Sequence, residues 1–84
     1  MKRVKQSDIW KAARWVLGPE DSWGSEYYII IFDVAAALES IVKTGDLQEF
    51  DIKTLRKWEE ALGCDWIIET TKEEGECLLE NLCY

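Results

Sequence analysis

The side chains best suited to metal binding or acid–base work in this chain are three cysteines and seventeen carboxylates, and there is no histidine. Without histidine the usual general base, the commonest metal ligand and every conventional catalytic triad are missing. Five scattered glycines form neither a phosphate-cradling loop nor a dinucleotide fingerprint. Cys64, Cys77 and Cys83 lack the CxxC spacing of zinc sites, and on a continuous last helix Cys77 and Cys83 point about 120° apart. A three-cysteine site completed by Asp65 needs that helix to break, so the three read as structural thiols. No two carboxylates stand out as having the different environments that acid–base catalysis needs. The expectation is a protein that is not an enzyme, with no cofactor and no metal.

One set of carboxylates does follow a pattern. Glu69, Glu73, Glu76 and Glu80 recur at i, i+4, i+7 and i+11, which places them along one face of a helix. Like charges so spaced cost a few tenths of a kcal/mol per pair, and only Lys72 stands where it can relieve them. At 1.5 Å per residue the stripe runs about 16 Å with one charge per roughly 5 Å, against one per about 1.7 Å of duplex axis, so it matches one nucleic-acid strand at most. Glutamate is also a good helix former on a solvated face, which explains the same pattern without a partner.

Charge is unevenly distributed. Residues 1 to 17 carry Lys2, Arg3, Lys5, Lys11 and Arg14 against Asp8, while the rest carries sixteen carboxylates against five basic groups, for a net charge of −7. That balance opposes direct binding of nucleic acid and suits either a basic protein partner or plain solubility. Three cysteines are an odd number for a secreted disulfide framework, the basic start runs into KAARW and does not read as a signal peptide, and the longest apolar run is broken by Asp33. A soluble protein of the reducing cytoplasm, with no membrane contact, is expected.

These groups must be positioned by the apolar elements, above all Ser25 to Gly45. Tyr27, Ile30, Ile31, Val34, Ala37, Leu38, Ile41 and Val42 recur at three- and four-residue steps, predicting one helix over 26–43 with Ser25 as N-cap and Gly45 as its stop. Tyr28, Ile29, Phe32 and Ala36 fall on its other side, so its first half is apolar all round and needs covering twice, by its own chain or by a second subunit. A first helix over 8–17 is expected to start at Ser7 and to bury Ile9, Ala12, Ala13, Val16 and Leu17. Trp15 falls on its solvent side, where it is either an interface anchor or covered by the Glu20 to Gly24 loop and Trp23. A third helix over 52–62 is read as starting at Asp51, with Phe50 stapled on Leu55 and Leu55, Trp58, Ala61 and Leu62 inward. A fourth over 66–82 presents Ile67, Ile68, Thr71, Gly75, Leu78, Leu79 and Leu82 on one face, with Gly75 permitting close approach of another helix.

The fold class expected for 1–84 is therefore all-α, a single small acidic domain forming a compact bundle of about four short helices. The alternative is α+β, with Tyr27 to Phe32 and Trp66 to Thr71 pairing as a small two-stranded element. Functionally, the pattern points to a non-enzymatic protein-binding module that docks Glu69, Glu73, Glu76, Glu80 and Trp15 on a basic host protein that itself binds nucleic acid. In small size, acidity and lack of catalytic residues it resembles the inhibitors of phages and mobile elements, anti-CRISPR proteins among them, that block such sites as nucleic-acid mimics. The alternative is a homodimeric assembly protein that pairs through Tyr28, Ile29 and Phe32.

Overall fold

A computed structural model of the chain describes residues 4–19 and 23–80. Four helices follow one another: α1 (Gln6–Leu17), α2 (Tyr27–Thr44), α3 (Glu49–Leu62) and α4 (Ile67–Glu80). The fold is an all-α bundle with no strand among the described residues, so Tyr27 to Phe32 and Ile67 to Thr71 are helical and the two-stranded alternative falls. The reason lies in the continuity of the three- and four-residue apolar steps, which run through both segments into their second halves.

α2 is the centre of the bundle. It packs against α1, α3 and α4, while α4 also contacts α1 and α3. Its residues Ile30, Val34, Ala37 and Leu38 are fully enclosed, together with Ala12 and Ala13 of α1, Leu55 of α3 and Ile67 of α4. The inward stripe expected for α1 is buried throughout. α3 buries less than its sequence suggests: Leu55 is enclosed and Trp58 half-buried, but Ala61 and Leu62 are exposed. On α4 Ile67, Thr71, Gly75 and Leu78 face the core, Ile68 is half-buried and Leu79 is exposed. The outermost expected positions of that helix, 81 and 82, lie outside the described residues, as does Cys83.

Helix starts differ from expectation in a consistent way. Ser7 does not cap α1, and Asp51 does not cap α3. Each helix begins earlier, with Lys5 and Gln48 respectively at the N-cap, and Asp8 or Asp51 sits in its first turn as an acceptor for the N-cap backbone N–H, at 3.1 Å in both cases. A carboxylate in the first turn also interacts favourably with the helix dipole. The shift places Phe50 inside α3 and leaves it 78% exposed, so the staple on Leu55 does not form. α2 starts from a turn at Gly24 to Tyr27, without a side-chain cap from Ser25, and ends as expected at Gly45, which like Gly63 after α3 is in the left-handed conformation.

Among the described residues, hydrogen bonds from or to side chains tie the helices together at three places. The Trp58 indole N–H donates to Asp33 Oδ2 at 2.6 Å, joining α3 to the middle of α2. Gln6 Nε2 donates to Glu39 Oε2 at 2.9 Å, joining α1 to α2. Glu59 Oε2 accepts from the Ile68 backbone N–H at 3.0 Å, so a side chain of α3 satisfies an otherwise free donor at the start of α4. The α1 end is held similarly, with the Trp23 indole N–H donating to the Leu17 carbonyl at 2.7 Å. Where α2 crosses α4, Gly75 is buried against Ile41: a Cβ built on it would stand 2.5 Å from Ile41 Cδ1 and 2.7 Å from Cγ2.

Candidate protein interface

The bundle measures 38 × 27 × 16 Å along its principal axes and leaves one side of the first half of α2 uncovered. Tyr28, Ile29 and Phe32 are accordingly left 59%, 59% and 63% exposed, and Trp15 on α1 is 71% exposed. Trp15 is not covered by Trp23, whose ring instead packs edge-on against Trp66 at 6.4 Å. Residues 20–22, the rest of the loop considered as its cover, lie outside the described residues.

Trp15, Tyr28 and Phe32, assigned to two different roles on sequence grounds, line one groove between α1 and α2 with a volume of about 780 Å³. Phe32 is held against half-buried Trp10, ring centroids 5.2 Å apart and nearly perpendicular, and Tyr27 and Tyr28 make a similar edge contact at 5.7 Å. Aromatic pairs in this geometry gain about 0.5–1.5 kcal/mol beyond their buried area, so the groove wall is a set of braced rings. Among the described residues, Lys11 and Arg14 are the charged ones that line it. Neither forms an ion pair among the described residues. Ile29 is exposed on the same helix but does not line the groove.

None of the four stripe glutamates of α4 lines this groove. Glu69, Glu73, Glu76 and Glu80 are all exposed, within about 60° of one another at 3.6 residues per turn. None makes an ion pair within 4.0 Å among the described residues, and Lys72, also exposed, bridges none of them. The ion pairs found are Lys43 with Glu39 at 2.8 Å and Lys53 with Glu49 at 3.5 Å, both on helix surfaces elsewhere.

The remaining chemistry is sparse. Hydrogen bonds from Gln6 and then Lys43, reinforced by the Lys43 charge, hold the Glu39 carboxyl below its ordinary value. Burial, with the charges of Glu59 and Asp65 behind it, pushes the Cys64 thiol up, which makes it a poorer nucleophile at neutral pH. Cys77 is disulfide-bonded and not the thiol expected, while Cys64 is free. No group of three histidine, cysteine or carboxylate residues is placed to hold a metal ion among the described residues. No described helix is long and apolar enough to cross a membrane.

The sequence shows Lys11 and Arg14 only as part of a basic first helix. Their adjacency to Trp15 is visible in KAARW, but their place on an aromatic groove depends on α2 lying alongside. The chain matches no protein family model, no curated protein and no solved structure.

Proposed function

We propose that the protein is a non-enzymatic protein-binding module, acting in the cytoplasm, whose acidic surface docks on a basic site of another protein. The observation that supports this reading is the exposure of Glu69, Glu73, Glu76 and Glu80, four of the five glutamates of α4, in one arc without an ion-pairing cation among the described residues. Such a stripe is a local cost that a cationic partner removes, and complementary charge raises association rate and selects the partner. In its most specific form the partner is a host protein that binds nucleic acid, and the chain is an inhibitor of the phage or mobile-element kind that occupies its phosphate-binding groove. The net charge of −7 goes with a protein target and against direct nucleic-acid binding.

The test is a pull-down from nuclease-treated lysate of source cells and their hosts, eluted in salt steps, compared with a Glu73→Lys, Glu76→Lys variant. A nucleic-acid-binding protein released by moderate salt and lost with the variant supports the reading; capture unchanged by charge reversal at low salt removes the stripe from it. A reducing cytoplasm would open the Cys77 disulfide, so trapping Cys77 by alkylation during extraction reports the compartment.

A second reading, a homodimeric assembly protein, is favoured by the exposure of Tyr28, Ile29 and Phe32. It requires a dimer in solution that Phe32→Glu converts to a folded monomer.

A further inference from the structure

We propose that the groove between α1 and α2 is a docking site for an acidic amphipathic segment of another protein, one that presents bulky apolar side chains beside carboxylates. This is a second surface, independent of the α4 stripe.

The groove combines two features that together select such an occupant. Its wall is aromatic and apolar, with Trp15 and Phe32 exposed, Tyr28 partly so and Trp10 half-buried behind Phe32. Exposed aromatics gathered around a concavity are the residue types that dominate binding energy when covered. Among the described residues the charged side chains lining it are both cationic, Lys11 and Arg14, in a chain whose net charge is −7. With no carboxylate bridged to either among the described residues, both are available to a ligand's acidic groups.

Charge also argues against a second copy of this chain as the occupant. In a two-fold contact the same patch meets itself, which brings Lys11 and Arg14 towards their own equivalents while the aromatic surface closes. Like charges brought together during desolvation oppose that pairing, whereas an acidic segment neutralises them. Free phosphate groups would use the two cations but leave the aromatic wall uncovered. An amphipathic helix or extended segment, with anchors at successive turns, uses both.

The experiment is a display selection of random peptides of about twelve residues on the full chain, a length that spans a helix-in-groove contact. Trp15→Ala and Phe32→Ala variants, each checked for native helicity, serve as counter-targets. The proposal expects enriched peptides that are net acidic and carry Leu, Phe or Trp, and that lose affinity on both counter-targets. Affinity should fall about tenfold or more on a Lys11→Glu, Arg14→Glu variant, and versions with lysine in place of the peptide carboxylates should regain binding there. Neutral or basic enriched peptides, binding unaffected by Trp15→Ala, or no enrichment would overturn it. So would sedimentation showing self-association of the wild-type chain, as a dimer or a head-to-tail polymer, abolished by Phe32→Glu.

Discussion

Replacing Gly75 with alanine sets two effects of opposite sign against each other at a single atom. Helix propensity favours alanine by about 1 kcal/mol in a helix interior. Packing opposes it, because the new Cβ would lie 2.5 Å from Ile41 Cδ1, 2.7 Å from Cγ2 and 3.1 Å from Cβ. Carbon atoms rest at about 3.5–4.0 Å, so the overlap approaches 1 Å at two atoms. Turning Ile41 about its outer bond clears Cδ1 but leaves Cγ2 and Cβ in place, so relief requires a change of the inner torsion or a separation of α2 from α4. Overpacking of this kind costs about 1–3 kcal/mol. Gly75→Ala should therefore lower stability by about 1 kcal/mol net, or about 4–8 °C in Tm for a domain of this size.

The decisive comparison is the same substitution made in an Ile41→Ala background. Ile41→Ala alone costs about 2–5 kcal/mol. With the isoleucine branches gone, the methyl introduced by Gly75→Ala enters vacated space and keeps its propensity gain, so the substitution should now stabilise by about 1 kcal/mol. The coupling from the double-mutant cycle then equals the overpacking cost, about 1–3 kcal/mol. Urea unfolding followed by far-ultraviolet circular dichroism, with unchanged slope, measures all four corners. If Gly75→Ala stabilises the wild-type chain and the coupling is zero, α2 and α4 do not approach as closely as described.

The core and its ties yield three more expectations. Asp33→Ala removes the acceptor for the half-buried Trp58 indole; a bond to a charged group contributes about 1.5–3 kcal/mol and alanine regains at most about 0.7 in propensity, so urea unfolding should show a net loss of about 1 kcal/mol or more, smaller for Asp33→Asn. Thr71 Oγ1 is enclosed without a hydrogen-bond partner among the described residues, so Thr71→Val should raise stability by about 1 kcal/mol in the same assay, and Thr71→Ser should not. Because the folded-state pKa of Glu39 is depressed, its contribution is present above the unfolded value near 4.5 and is lost as pH falls through the folded value. Glu39→Gln should flatten that acid limb of the stability curve, and a carboxyl titration by nuclear magnetic resonance should place Glu39 below the ordinary glutamate value.

The helices were legible because their apolar steps are local and regular. From Tyr27 to Val42 the period is unbroken, and the inward residues of α1 and α2 follow from it directly. The inward role of Gly75 was also readable, since a glycine on the apolar face of a helix has few other uses. Helix starts were not: Ser7 and Asp51 look like caps, but a carboxylate in the first turn serves the same backbone donor from inside the helix, and Asp8 and Asp51 take that option. Phe50 was misplaced as a result. The bonds Asp33–Trp58 and Glu59–Ile68 join residues with no local pattern between them and depend on helix packing. For the candidate surfaces, exposure of the α4 glutamates and of Tyr28, Ile29 and Phe32 could be read from the helical wheel. That Trp15 shares a groove with Tyr28 and Phe32, and that Lys11 and Arg14 line it, required the positions of α1 and α2 relative to each other.

The bond from Glu59 to the Ile68 amide makes the opening of α4 conditional on α3. Fraying at the start of α4 exposes a donor that α3 had satisfied, so amide exchange at that end should report a joint fluctuation of both helices and not independent melting. The glutamates that follow are then carried on a preorganised arm: a partner meeting them does not have to order the helix as it binds, and the entropy of doing so is absent from the association.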